Sequence, residues 1–499
     1  MSHPNDPPND PIEAEDFFEA RRKVFPKAVH GTFRRLKWAI MTAALAVYYI
    51  APWLRWDRGP YAPHQAALVD IAHRRFYLFA IEIWPHEFYY VTGMLIMAGI
   101  GLFLVTSAVG RAWCGYACPQ TVWTDLFVHV ERLIDGDRNA QFRLEKAPWG
   151  PAKIVKRLAK HGLWLLIAAA TGGAWIFYFA DAPSLARALV AGTAPFVAYA
   201  TIGVLTFTTY VFGGLMREQV CIYMCPWPRI QAALMDEHSL TVTYKHWRGE
   251  PRTHGLKRTH DLAEIATNPA ARVGDCIDCN ACVAACPTGI DIREGPQIGC
   301  ITCGLCIDAC DEVMARIDRA PRLIGYTTEA DAKLALGGGQ PISPVKRLFR
   351  LRTLLYLLVW GGIGLGMVFA LGSRTRLDLS VAQSRNPLWV RLSDGGIRNS
   401  YTVKIRNMEA RPRTVEISLV GLPQAVLWDE SGARKTAGRS LRLAVEADQV
   451  QRVQLFVAAP AAGPEHTDIA FAVRALDAEG GNARDATRFD RPEDEEHEE

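Results

Sequence analysis

Five apolar runs of membrane-spanning length, eight cysteines in two matching runs, and a cysteine-free tail of alternating residues predict a multi-domain integral membrane protein. The expected fold class is an α-helical membrane bundle of five spans, an inserted bacterial-type dicluster ferredoxin module, and a C-terminal all-β immunoglobulin-like sandwich. The chain has 499 residues, 49% of them hydrophobic, and a mean hydropathy of +0.02. That average hides a division into long apolar runs and polar modules.

The apolar runs lie at about 38–54, 88–109, 161–180, 190–213 and 353–372, each within the roughly 17–25 residues that a spanning helix needs. Five runs with almost no internal charge do not read as core helices of a soluble domain. The first starts too late, and lacks the small-residue site, for a cleaved signal peptide. It has Arg34, Arg35 and Lys37 before it and Arg55 and Arg58 after it, so orientation comes from the loops. The 110–160 loop carries Arg111, Arg132, Arg138, Arg143, Lys146, Lys153, Lys156, Arg157 and Lys160, whereas 181–189 carries only Arg187. The excess of positive charge places 110–160 in the cytoplasm. Counting crossings from there, the N-terminus and 214–350 are cytoplasmic, and 55–87 and everything after 373 are periplasmic. The expected location is the inner membrane of a bacterium. The net charge of +4 adds little to this. All twelve cysteines fall in or beside cytoplasmic segments, so no disulfide framework is indicated.

Cys276, Cys279, Cys282 and Cys286 form one C-x2-C-x2-C-x3-C run, and Cys300, Cys303, Cys306 and Cys310 form another. This is the bacterial ferredoxin spacing for 4Fe–4S clusters, in which the fourth cysteine of each run ligates the other cluster. The assignment is therefore Cys276, Cys279, Cys282 and Cys310 for one cluster and Cys300, Cys303, Cys306 and Cys286 for the other. Structural zinc also favours four-cysteine sites, but two tandem runs in this register disfavour it. Where the first run ends in Pro287 the second has Asp311, which changes the turn and not the ligand count. Such a module implies one-electron transfer.

The other four cysteines repeat a second motif. Cys114-Gly-Tyr-Ala-Cys118-Pro119 follows the second span and Cys221-Ile-Tyr-Met-Cys225-Pro226 follows the fourth. Both read C-x-Y-x-C-P, as expected of a duplicated unit of two spans and a cysteine pair. The prolines disfavour α conformation at Cys118 and Cys225 and suit the first turn of a new helix. An amphipathic helix is expected after the first motif, with Trp123, Leu126, Phe127, Val130 and Leu133 on one side, and a shorter one after the second, with Trp227, Ile230 and Leu234. Cys118 and Cys225 then sit near helix N-termini, where the dipole favours a thiolate. Soft thiolates select cuprous ion, zinc or iron–sulfur clusters, and a dithiol can also cycle to a disulfide. The plainer reading is small residues packed at the membrane edge. Neither motif is C-x-x-C-H, so covalent haem is not indicated.

Histidines His64, His73 and His86 in the outer loop, and His129 on the amphipathic helix, read as interfacial polar anchors ahead of metal ligands. His246, His254 and His260 flank a basic stretch of Lys245, Arg248, Arg252, Lys257 and Arg258, read as a solvated or headgroup-facing linker. No nucleic-acid-binding motif accompanies that charge. Strand-like alternation at 401–406, 415–419, 453–457 and 469–473 builds the sandwich. The domains expected are a cytoplasmic, partly disordered N-terminal segment (1–36), a four-span membrane domain (37–213) and a cytoplasmic segment with the second motif (214–265). The ferredoxin domain (266–326), a flexible linker (327–350), the fifth span (351–373), the sandwich (374–485) and an acidic, disordered tail (486–499) complete the chain.

These motifs together resemble the FixG/CcoG/RdxA family of ferredoxin-type membrane proteins, accessory to assembly of the cbb-type haem–copper oxidase. The resemblance runs through Trp113–Gln120, Cys221–Pro226, Gly274–Cys276, Cys286–Arg293 and Ile307–Met314. It implies reduction of cupric to cuprous ion for oxidase assembly, with Cys114, Cys118, Cys221 and Cys225 as candidate copper or redox thiolates. It also implies a copper-exporting P-type ATPase and other assembly factors as partners, beside the lipid bilayer. The electron donor is written in no motif. Two other classes compete: a quinol-linked conduit to another respiratory reductase, against which the periplasmic sandwich argues, and a redox-sensing or scaffold protein.

Overall fold

The computed structural model describes residues 23–60, 62–253, 273–337, 350–409, 411–431, 437–478 and 480–492. The chain divides into two compact units, one of Met1–Ile50, Leu95–Ile176 and Thr193–Trp360, the other of Ala51–Met94, Phe177–Gly192 and Gly361–Glu499. Among the described residues, three helices are long and apolar enough to cross a membrane: Pro85–Val109, Phe196–Met216 and Leu351–Ser373. They mark a membrane protein and coincide with three of the five expected spans. The other two expected spans are also helical, at Thr32–Ile50 and Pro151–Ile176, but both helices begin in charged residues. The run expected at 190–213 is not one helix. Gly192 ends Ala182–Ala191 in a left-handed cap, and a new helix starts at Phe196 after Pro195.

In the first unit, the helices are α1 (Thr32–Ile50), α2 (Tyr89–Val109, shared with the second unit), α3 (Ala112–Tyr116), α4 (Pro119–Asp135), α5 (Arg138–Lys146) and α6 (Pro151–Ile176). After α7 (Ala182–Ala191, in the second unit) come α8 (Phe196–Thr209), π-helical turns at Tyr210–Met216 and Val220–Met224, and α9 (Trp227–Leu234). The amphipathic α4 forms as its pattern predicts. Phe127 and Val130 pack with Trp164 and Ala168 of α6, although Leu133, expected on the same face, is 70% exposed. The polar side of this contact is a buried ion network. Lys160 lies 3.0 Å from Glu131 and 2.7 Å from Asp135, and Arg217 lies 2.7 Å from Glu131. Buried charges persist only when so paired.

The ferredoxin module closes on a two-stranded antiparallel ribbon, Thr241–Tyr244 against Ile324–Thr327. Its core joins Val242, Tyr244, Ile307, Met314 and Leu323 to the cysteines. The module therefore begins upstream of residue 266. The basic stretch before it is scaffold at Arg248, which bonds Asp275 and the carbonyls of Ala320 and Pro321, and is not a free linker there. The reading of 327–350 as flexible fails for its first part. Glu329–Leu336 is helical, capped by Thr328 Oγ1 accepting from Asp331 N at 3.1 Å.

The second unit holds the sandwich. One sheet runs Val426–Asp429, Gln449–Ala459, Ile397–Asn407, Leu377–Gln383, with Val390–Arg391 beside the third; the other runs Ser440–Val445, Arg413–Val420, His466–Ala475, Asn482–Asp490. All four strands expected from alternation form, and Ile397–Asn407 alternates buried and half-buried along its whole length. The last strand reaches Asp490, and Phe489 is fully buried, so the domain extends past 485 and the acidic tail starts later than its composition suggests. The unit also contains a three-stranded antiparallel sheet, Ala67–Asp70, Arg75–Leu78 and Ile81–Ile83, which no periodicity foretold. Arg75 pairs with Glu82 of the same sheet at 3.1 Å and with Asp448, stacked on Trp84 at 3.7 Å.

Candidate metal centres

The two ferredoxin runs share one backbone pattern. Asp278 and Asn280 in the first, and Thr302 and Gly304 in the second, have positive φ at the third and fifth positions. Paired left-handed residues curl the chain around its cysteines and turn backbone N–H groups inward, a concavity suited to an anionic centre. Gly304 has a second constraint, since a Cβ there would lie 2.8 Å from the Phe33 ring. The strained Asp278 and Asn280 are both held by Arg293, which bonds each of their side chains and Asp291. A helix follows each run, Ala281–Ala285 and Leu305–Arg316. Cys286, extended before Pro287, leaves the first run, and Cys310 is carried off on the second helix.

Cys306 lies within electrostatic range of Cys282, Cys286, Cys300 and Cys303, and Cys310 of Cys279 and Cys282. Cys276 packs in the same core as Cys282 and Cys310. A pocket is bordered by Cys282, Cys286, Cys300, Cys303 and Cys306. Among the described residues no three His, Cys, Asp or Glu side chains converge as a single ion's ligands would. Thiols spread around a volume, on inward-turned backbone, fit a 4Fe–4S group. Burial pushes the thiols of Cys282, Cys300 and Cys310 up to about 12, so these sites favour thiolates only with a cationic partner such as iron.

The C-x-Y-x-C-P cysteines form a second group. Cys114 is on α3. Cys118 is the extended N-cap of α4, with Pro119 in the first turn. Cys221 lies in the second π turn and Cys225 is extended before Pro226. Each proline breaks the chain at its cysteine, as expected; the π turn was not legible. The motifs meet. Cys114 is in electrostatic range of Cys118, Cys221 and Cys225, and its Sγ donates to Gln231 Oε1 of α9 at 3.0 Å. The expected thiolate at Cys118 is not favoured by its surroundings alone. The N–H groups of Gln120 and Thr121 lower its pKa, but burial outweighs them and raises it.

The two groups adjoin. A Cβ on Gly115 would sit 2.6 Å from the Ile301 carbonyl oxygen and 3.1 Å from Cys303 Cα, so only glycine allows this approach. Tyr116 Oη donates to the Cys303 carbonyl at 2.9 Å. The motif's glycine and tyrosine thus seat Cys114 on the second ferredoxin run, a role that spacing could not reveal. In the second motif Tyr223 is exposed and makes no such contact.

None of the histidines weighed as ligands and described by the structure joins either group. His73 bonds Asp70 at 2.7 Å, His64 lies 3.7 Å from Asp57, and His86 is in a 3-10 turn. His129 and His246 pack their rings on Trp38 and Tyr244. His254, His260, Lys257 and Arg258 lie outside the described residues.

Comparison with known proteins agrees with this geometry. Family models described as "4Fe-4S dicluster domain" and "4Fe-4S binding domain" match residues 216–329 and 90–135. One described as "IG-like fold at C-terminal of FixG" matches 367–492. The nitrogen fixation protein FixG of Rhizobium meliloti is 55% identical over 466 residues, 89% of this chain and 87% of that one. The chain belongs to the FixG family. Proteins RdxA and RdxB of Cereibacter sphaeroides are each 53% identical, over 90% and 92% of this chain and 91% and 94% of their own lengths. As a FixG-family protein it is an oxidoreductase with 4Fe–4S domains, which implies iron–sulfur electron transfer.

Proposed function

We propose that this FixG-family protein reduces cupric to cuprous ion for the assembly of a cbb-type oxidase. The observation that carries the reading is the seating of Cys114, with the other three motif thiols in electrostatic range of it, on the second ferredoxin run through Gly115 and Tyr116. Cys276, Cys279, Cys282 and Cys310 hold one cluster, and Cys286, Cys300, Cys303 and Cys306 the other. When bound, such clusters supply single electrons, and cupric reduction consumes one. Cys114, Cys118, Cys221 and Cys225 hold the copper. Soft thiolates favour the cuprous product over the cupric substrate and so draw the reduction forward. Two sulfurs, one from each motif or both from one, suffice for a linear cuprous site.

In this reading α1 and α6 cross the membrane as well, giving five crossings, with the ferredoxin module cytoplasmic and the sandwich periplasmic in a bacterial inner membrane. Both helices begin in basic residues, Arg34, Arg35 and Lys37 in α1 and Lys153, Lys156, Arg157 and Lys160 in α6, as cytoplasmic ends do. A copper-exporting P-type ATPase and other oxidase assembly factors are the partners proposed. Replacing Cys114, Cys118, Cys221 and Cys225 together by Ser tests the reading. High-affinity cuprous binding is expected to vanish while iron content stays at the parent's. A variant that binds cuprous ion as tightly as the parent would make the motifs structural.

A further inference from the structure

Two buried cations stand where the thiol group meets the second ferredoxin run. Arg111, 4% exposed, gives Nη1 to the carbonyls of Ile298 and Cys300 at 2.6 and 3.2 Å and Nη2 to that of Pro228 at 2.8 Å, and its Nε has no acceptor. No carboxylate among the described residues lies within 4.0 Å of its guanidinium. Lys37 of α1 is 2% exposed. Its nearest carboxylate, Asp125, is 3.9 Å away and already takes two bonds from Arg34, at 2.8 and 3.0 Å. Lys37 and Cys221 line one pocket, with Arg34, Asp125, Arg217 and Glu218 also on its wall.

Each cation interacts electrostatically with one cysteine of each group. Arg111 is within electrostatic range of Cys114 and Cys300, and Lys37 of Cys221 and Cys303. Burying an ion costs several kcal/mol unless a counter-charge meets it. Asp125 is one charge shared by Arg34 and Lys37, and Arg111 has only carbonyls. Glu218, also buried, shares the pocket wall with Lys37, and the cysteines on either side add the charge that meets both cations once they hold metal as thiolates.

We infer that Lys37 and Arg111 are positioning residues that form a shared counter-charge between the copper thiolates and the cluster of Cys286, Cys300, Cys303 and Cys306, stabilising added negative charge at both. The inference rests on the copper reading for one half and on the cluster alone for the other. An added electron at the cluster and a thiolate set around cuprous ion are both anionic, and one pair of cations serves both. Removing either cation therefore weakens both centres together, although Lys37 donates no hydrogen bond to either.

The test is Lys37→Met in the full chain, with iron content checked against the parent, reading the potential of each cluster by redox titration with electron paramagnetic resonance, and cuprous affinity by competition with a chromophoric chelator. One cluster's potential should fall by at least the equivalent of a tenfold change in its one-electron equilibrium, about 59 mV, and cuprous affinity should fall at least tenfold. Lys37→Arg should keep both within threefold of the parent. Arg111→Met, read the same way, is the second arm and decides the matter should Lys37→Met lose iron. Unchanged potential and unchanged affinity in an iron-replete variant would overturn the inference. A shift in potential with cuprous affinity unchanged would overturn the shared role and confine the cation to the cluster. If the parent itself binds no cuprous ion, the copper reading fails, and the potential alone still decides the cluster half.

Discussion

Asp308 is the pin that sets α1 on the ferredoxin module, and its removal should loosen that contact by a calculable amount. The side chain projects from Leu305–Arg316, is nearly buried, and accepts from Arg34 N at 2.7 Å and Phe33 N at 3.3 Å, the first turn of α1. A carboxylate there satisfies two N–H groups that no helix can satisfy internally and meets the positive end of the helix dipole. Asp308→Ala forfeits an N-terminal cap, about 1 kcal/mol, and leaves one buried N–H without an acceptor, about 1–3 kcal/mol more. The sum, about 2–4 kcal/mol, corresponds to a roughly 30- to 1000-fold rise in local opening. Amide hydrogen exchange at Phe33–Lys37 in the iron-loaded protein reads that opening directly. Asp308→Asn keeps one acceptor oxygen and should lose only part of the protection. Exchange at Arg34 as slow in Asp308→Ala as in the parent would refute the reasoning, since no other carboxylate is bonded to that amide among the described residues.

Cys286→Ser should strip the cluster it shares with Cys300, Cys303 and Cys306 and spare the other, taking iron from about eight to about four per chain; equal loss from both would argue against crossed ligation. Reporters fused after Arg319 and after Arg376 should be active on opposite sides of the membrane, and activity in one compartment for both would mean that Leu351–Ser373 does not cross. In the second unit, burial and the Asp448 charge push Glu82 up to about 7 from an ordinary 4.5. The folded state then holds a proton that the unfolded chain gives up between those values, so this contribution to stability is full below about pH 4.5 and lost as pH rises through 7. Glu82→Gln should therefore flatten the pH dependence of melting and raise the melting temperature at pH 8 but not at pH 4.5. A parent curve that rises across pH 5–7 in step with the variant's would contradict it.

The parts of the fold that follow from spacing or period were legible. The ferredoxin runs, the helix at Pro119–Asp135 and the four inner strands each repeat a pattern that only one local structure buries. The misses have physical causes. Asn482–Asp490 is made mostly of small and charged residues, so only Phe489 marks a large inner residue and the strand's second half, from 486, reads as tail. Glu329–Leu336 lies against a Gly-rich stretch whose composition masks an ordinary Thr cap. The sheet at 67–83 is made of strands three or four residues long, below the length at which alternation is informative. In the site, cysteine grouping was legible because ligand spacing is covalent information. The seat made by Gly115 and Tyr116, the brace at Arg293 and the two buried cations Lys37 and Arg111 were not. Each depends on which loop lies opposite, and no period in the chain records that.

Anaerobic stopped-flow mixing of the dithionite-reduced, iron-replete protein with cupric ion tests the copper reading most directly. Cluster absorbance should return to the oxidised level within mixing-limited or millisecond times, with about two cuprous ions formed per chain, one per 4Fe–4S centre, and the fourfold Cys114, Cys118, Cys221 and Cys225 Ser variant should reoxidise far more slowly. Clusters that stay reduced in the presence of cupric ion, or a variant that reoxidises as fast as the parent, would contradict it.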